Sequence, residues 1–143
     1  MLKNVGCGDM KDSERGTIRH REFAQQLRDF SGLVFGQLSP TDIDCFLDFG
    51  SRVFIFVEGK HGETPLRRGQ ELAYEHLADA CQKAGVDTIV LVGTHQGTGD
   101  VDCAVMPVRN FYYHAAWHEP KKPLTVRQAI DGLLYPRRLN SEE

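Results

Sequence analysis

The sequence predicts an α/β fold in which helices flank a mixed central β-sheet. Residues 53–57 and 88–94 are continuously apolar, which is typical of strands buried on both faces of a sheet. The residues between these two runs have a helical pattern of apolar positions. A strand, a helix and a second strand in this order form a parallel crossover, so both strands are expected at the centre of the sheet.

The other elements surround this central unit. In chain order, the predicted elements are a helix at 17–30, strands at 33–35, 44–49 and 53–57, a helix at 65–84, a strand at 88–94, an interrupted strand at 101–117 and a helix at 124–134. Thr17 and Thr125 are the expected helix caps, Gly85 ends the second helix, and Pro107 interrupts the last strand. These elements form one domain over residues 16–137, between flexible termini at residues 1–15 and 138–143.

Composition and charge limit the functions of the chain. With 143 residues, 41% of them hydrophobic and 26% charged, it has the length and composition of one globular domain. The formal net charge of -3 argues against a general nucleic-acid coat protein, which is normally basic. The sequence has neither an apolar stretch of membrane-spanning length nor the apolar core of a signal peptide. We therefore expect no membrane partner and a cytoplasmic location.

Four charged residues mark the segment that carries the candidate chemistry. Glu58 and Lys60 follow the apolar run 53–57 and, two residues apart on a strand, project from the same face. If residues 50–52 form a three-residue loop, Asp44 lies opposite Glu58 and Asp42 opposite Lys60, and all four side chains converge. Two acids and a lysine in this arrangement can hold a divalent cation and activate water against a phosphodiester.

A different hairpin loop would abolish this convergence. With a two-residue loop, Asp44 would lie opposite Val57 and Ile43 opposite Glu58. The aspartates would then point to the other face, because a one-residue slip inverts every side chain of a strand. Both registers are open at the level of the sequence, and the candidate site depends on the first.

The segment PTDIDCFLDFGSRVFIFVEGK resembles the core of the PD-(D/E)xK nuclease superfamily. Gln70 and Tyr74 in the next helix resemble the Gln-x-x-x-Tyr signature of its RecB-like and phage exonuclease branches, and the compact pattern is similar to small phage and prophage members. The resemblance covers residues 17–95. Thr41 stands where a proline often precedes the aspartate, and two aspartates compete for one position.

The resemblance implies a restriction-endonuclease-like core of order αβββαβ and a Mg²⁺ or Mn²⁺ site. Asp44 and Glu58 would ligate the ion with the backbone carbonyl of Gly59, and Glu22 of the first helix would approach it. Lys60 would orient the attacking water or stabilise charge on the phosphate. Asp42 is an alternative ligand or a residue just outside the ligand set.

Four residues of the second helical segment complete the candidate site. Gln70 would position water or a phosphate oxygen, and Tyr74, one helical turn further along the same face, would bind the substrate; a solvated helix face is the alternative for both. Arg67 and Arg68 are candidates for phosphate contacts, with ordinary exposed residues as the alternative.

The leading functional hypothesis is a metal-dependent nuclease that acts on DNA, for example in phage recombination or repair. The alternative is a catalytically silent module of the same fold that binds a protein partner or DNA ends. A homodimer is expected if the chain acts as a Holliday-junction resolvase, because such enzymes need two active sites.

Overall fold

The computed structural model describes residues 16–135 and divides the chain into two compact units, Met1–Pro40 and Thr41–Glu143. The expected single domain over 16–137 therefore spans both units. The flexible termini predicted at residues 1–15 and 138–143 lie outside the described residues.

In the first unit, the predicted helix at 17–30 is wrong in extent. Within residues 16–30 of the described chain, the helix is a single turn, α1, which covers Arg21–Ala24 and has no side-chain cap. Phe23 and Leu27, which a helix over 17–30 would place on one face, are 57% and 84% exposed. Because short helices are stabilised mainly by packing an apolar face, α1 ends after one turn.

The strand predicted at 33–35 is also wrong. Ser31–Leu33 form a 3-10 turn, and Phe35 pairs with Leu38 in an isolated bridge. Gly36 between them has a positive φ of 63°, which reverses the chain before a strand can extend.

The second unit contains the predicted mixed sheet. Its five strands are β1 Cys45–Phe49, β2 Val53–His61, β3 Asp87–His95, β4 Val108–Tyr113 and β5 Ala116–His118, in that spatial order. The pair β2 and β3 is parallel, and the other neighbours are antiparallel. The central parallel crossover is thus confirmed. The interrupted strand predicted at 101–117 is wrong in its first part: Cys103–Val105 form a 3-10 turn, and only the residues after Pro107 form strands, β4 and β5.

Two helices follow the sequence signals closely. Helix α2 covers Arg68–Lys83 and ends at Gly85, whose φ of +91° allows Val86 to donate a hydrogen bond back to Cys81. Helix α3 covers Val126–Leu134 and is capped by Thr125, as predicted. Among the residues that the structure describes, no helix combines the length and the apolar character needed to cross a bilayer.

The core of this unit lies on both faces of the sheet, because side chains alternate along each strand. On one face, α3 covers a cluster made of Ile55, Val57, Ile89, Leu91, Met106, Val108, Val126 and Ile130. On the other face, α2 covers a cluster made of Phe56, Tyr74, Ala78, Val90 and Tyr112. Glu58 and Lys60 continue the row of Phe56 on the face that α2 covers.

Candidate functional site

The β1–β2 hairpin has the three-residue loop on which the site depends. Phe49 pairs with Val53 and Cys45 with Val57, which excludes the two-residue alternative. The loop is closed by a hydrogen bond from the Ser51 amide to Asp48 Oδ1, at 2.7 Å. One step beyond the last pair, this register places Asp44 opposite Glu58.

Asp44 contacts the backbone of β2 directly. The amide of Gly59 donates a hydrogen bond to Asp44 Oδ2 at 2.9 Å. This carboxylate, which remains exposed, occupies the place that a main-chain acceptor of β1 would have taken. The sequence predicted that the Gly59 carbonyl would contribute to the site, whereas the contact seen here involves its amide; the role of the carbonyl stays a prediction.

Glu58 is a buried carboxylate with a donor on each oxygen. It is only 4% exposed, although it lies near the end of its strand. Gln70 Nε2 donates to Oε1 at 2.8 Å, and the Tyr74 hydroxyl donates to Oε2 at 2.6 Å. Lys60 Nζ lies 3.6 Å from Oε1, and the lysine side chain is 18% exposed. The carboxylate thus lies between the first two turns of α2 and an ammonium group.

The surroundings of Glu58 favour its protonated form. Burial, followed by the negative charge of Asp44, raises the pKa of Glu58 above its ordinary value, against the hydrogen bonds from Tyr74 and Gln70 and the charge of Lys60. Burial also raises the pKa of Tyr74, and its bond to Glu58 raises it further. Tyr74 is therefore a neutral donor at all physiological pH values.

Gln70 and Tyr74 meet Glu58 because they lie four residues apart on one face of α2. The crossover from β2 places the first turns of this helix over the row that contains Glu58. The sequence pattern identified both residues but not their common partner. The spacing of four residues was the available signal, since both side chains had to reach the same point on the sheet.

The remaining predicted residues are placed differently. Asp42 is exposed and forms no hydrogen bond or ion pair among residues 16–135. Arg67 is the exposed residue that precedes α2, and Arg68 binds Glu71 at 2.7 Å. Glu22 lies in the first unit, 3.6 Å from His20 Nδ1, so its approach to the cation stays a prediction.

The donors available for a metal are two carboxylates and main-chain atoms. Within residues 16–135, no cluster of three or more His, Cys, Asp or Glu side chains has the arrangement of a metal site. Mg²⁺ keeps several waters and is often held by one or two protein carboxylates, so Asp44 and Glu58 are chemically suited to it. Zn²⁺ in structural sites requires four protein ligands and is poorly matched by this pair.

No protein-family model, curated protein or solved structure matches this chain. The case for its chemistry therefore rests on the geometry around Glu58.

Proposed function

We propose that the chain is a metal-dependent nuclease of the PD-(D/E)xK type, in which β1, β2, α2 and β3 correspond to the last four elements of the expected αβββαβ core. Asp44 and Glu58 would hold Mg²⁺ or Mn²⁺, and Lys60 would act at the scissile phosphate, expected to be that of DNA. The convergence of these three side chains on β2 and the adjacent end of β1 is the observation that carries the proposal.

The burial of Glu58 supports a functional role for it. A carboxylate removed from water costs free energy unless it is paired, and an apolar residue would fit this position in a central strand more cheaply. The pair with Lys60 does not by itself require Asp44, whose negative charge opposes ionisation of Glu58. A divalent cation would reverse that repulsion and favour both ionised carboxylates.

Each residue of the site has a distinct task in this proposal. The bound cation would supply an acidified water and charge neutralisation at the phosphate. Lys60 would orient the attacking water and stabilise negative charge that develops on the phosphate oxygens. Gln70 and Tyr74 would fix the orientation of Glu58, since each donates to one of its oxygens.

One observation favours the catalytically silent module instead. Both Glu58 oxygens and Asp44 Oδ2 already have donors within the protein. These contacts therefore also stabilise the packing of α2 on β2 and the pairing of the start of β1 with β2. In such a module Lys60 would serve only as the counter-ion of Glu58.

A cleavage assay with Lys60 variants separates the two functions. Purified protein is incubated with single-stranded, duplex and branched DNA and with RNA, in Mg²⁺, Mn²⁺ or a chelator. We expect cleavage only with the metal, and a loss of about 100-fold or more in rate for Lys60→Ala. Lys83→Ala, at the exposed far end of α2, is the matched control and should retain full activity. Absence of cleavage on every substrate, or equal rates for Lys60→Ala and the control, would contradict the nuclease.

A further inference from the structure

A cavity of about 530 Å³ lies beside the candidate site and is not used by the proposed mechanism. Its main lining residues are Glu63 and Leu66 before α2, Glu71 in the first turn of α2, Arg109 and Asn110 on β4, and Trp117 on β5. Glu58 pairs with Val92 and Val92 with Asn110, so these residues form one cross-strand row on the same face. With two inter-strand spacings between them, Asn110 stands about 10 Å from Glu58.

Two hydrogen bonds hold the walls of this cavity in place. Arg109 Nη1 donates to the carbonyl of Thr64 at 2.8 Å and so ties β4 to the loop before α2. Trp117 Nε1 donates to Glu75 Oε1 at 3.0 Å and fixes the indole against α2. A ligand would therefore meet walls that are already positioned, as is usual for binding sites of this volume.

The lining combines flat apolar surface with donors and acceptors of both kinds. Trp117 and Leu66 supply apolar flanks, Arg109 supplies donors, and Glu71 supplies acceptors. Asn110 can do both, and its Oδ1 is buried without a hydrogen-bond partner. An acceptor without a partner is unfavourable, so the Asn110 amide gives up no contact of its oxygen when it turns toward a ligand.

These properties select the ligand by exclusion. A phosphate group would be repelled by the carboxylates of Glu63 and Glu71, and an isolated ammonium group, which has no acceptor, would leave the remaining donors of Arg109 without a partner. A planar heterocycle with ring acceptors and exocyclic amino groups can stack on the indole and satisfy the amide, the guanidinium and a carboxylate together.

We propose that this cavity binds one unstacked nucleobase. The choice of this ligand rests on the proposed nuclease function, because Asn110 in the cavity lining stands about 10 Å from Glu58, two strands away. A paired base inside a duplex is not available to a cavity, so the substrate class would be a single strand, a frayed end or a free nucleotide.

Trp117 makes the test direct, because it is the one tryptophan of the 143-residue chain. Its fluorescence is followed in metal-free protein during titration with nucleoside monophosphates, a short single-stranded oligonucleotide, ribose 5-phosphate and arginine. We expect saturable quenching by the nucleotides and the oligonucleotide alone. Tighter binding of the oligonucleotide would identify a strand as the source of the base, and equal binding would identify free nucleotides.

Two variants test whether the base enters this cavity. Asn110→Leu removes the amide and should still fold, since the side-chain oxygen that it deletes has no partner. Glu71→Gln keeps the shape of the side chain and removes its charge. We expect binding about tenfold weaker in each, as for a lost base-edge contact. Asp131→Asn, on α3 across the sheet, is the control and should bind like the wild type.

The proposal would be overturned by any of four results. These are no saturable quenching by nucleotides or oligonucleotide, equal quenching by ribose 5-phosphate, quenching by arginine alone, or wild-type affinity in folded Asn110→Leu and Glu71→Gln. Nucleotide quenching without any cleavage activity would leave the base site standing and remove the nuclease. Cleavage without quenching would support the nuclease and remove the base site.

Discussion

Glu58 is the residue at which stability and the proposed function oppose each other. Its carboxylate is buried, close to Asp44, and held by Tyr74, Gln70 and Lys60. Without a bound cation, ionisation of Glu58 costs free energy, yet a cation binds only the ionised carboxylate. This conflict predicts a measurable dependence of folding on pH.

The first prediction concerns the pH dependence of unfolding in a chelator. The raised pKa means that folded Glu58 holds its proton more tightly than the unfolded chain does. The free energy of unfolding should therefore fall as pH rises from about 4.3, the unfolded value, through the higher folded value. Glu58→Gln lacks this titration, so its stability relative to the wild type should increase over the same range. Denaturant unfolding at a series of pH values measures this, and identical pH profiles would refute it.

The second prediction concerns the hydroxyl of Tyr74. Tyr74→Phe removes the donor that lies 2.6 Å from Glu58 Oε2, and should cost about 2 kcal/mol of stability when Glu58 is ionised. The loss should shrink at low pH, where the carboxyl group is protonated. Tyr113→Phe is the control, since its hydroxyl donates to Asp87 at 3.1 Å on a different strand. A loss that is independent of pH over the titration of Glu58 would contradict this account.

For individual residues, the sequence predicted positions along a strand better than it predicted the hydrogen bonds that the side chains form. Counting along the hairpin reduced the position of Asp44 to two registers, because strand side chains alternate strictly, and the observed three-residue loop selects the one in which Asp44 lies opposite Glu58. The bond from the Gly59 amide to Asp44 could not be counted, since it depends on where β1 ends and on one side-chain rotamer. Arg68 was a candidate for phosphate contacts, but two neighbouring acids, Glu71 and Glu75, lie within reach on its own helix.

At the level of secondary structure, the backbones of β2 and β3 both lie close to the side chain of Met106. Gly59 pairs with Gly93, and a Cβ atom built on either one would meet the side chain of Met106. At Gly93 this atom would lie 3.0 Å from Met106 Cβ and 3.3 Å from Val126 Cγ2, and at Gly59 it would lie 3.3 Å from Met106 Sδ. The two glycines let Met106 pack onto the sheet directly behind the candidate site.

The third prediction uses these glycines. Gly93→Ala should lower the free energy of unfolding by about 1–3 kcal/mol, because the added methyl group overlaps a buried side chain. Gly59→Ala should cost less, since it meets only the flexible end of Met106 and the edge of His95. Gly69→Ala, in the open first turn of α2, should instead stabilise by about 0.5–1 kcal/mol. Equal effects of Gly93→Ala and Gly59→Ala on thermal unfolding would show that Met106 does not pack as described.

The elements that the sequence predicted well are those whose signals agree. Helix α3 has a capping box at Thr125 and Gln128 and buries Val126 and Ile130. Its local hydrogen bonds and its packing against the sheet therefore favour the same structure. The segment 17–30 has a helical apolar pattern, but its side chains remain exposed and α1 covers four residues. Periodicity alone could not distinguish these cases, because burial decides whether a short helix is stable.

For the molecule as a whole, the sheet was predictable because its central strands are apolar on both faces. The parallel pairing of β2 and β3 followed from that pattern, as did helices flanking the sheet, although not which face each of α2 and α3 covers. The cavity at β4 and β5 was not predictable, because it arises from side chains that are far apart in the sequence, such as Leu66 and Trp117. The division at Pro40 likewise has no local signal beyond the proline itself.

The fourth prediction is that the side chains around Glu58 hold one divalent cation. Mn²⁺ or Mg²⁺ is titrated calorimetrically into the full chain, Asp44→Asn and the control Asp131→Asn. We expect one ion per chain, affinity that rises with pH through the titration of Glu58, and binding at least about tenfold weaker in Asp44→Asn. This prediction is contradicted by a wild type that binds no ion, or by an Asp44→Asn variant that binds the ion as tightly as the control.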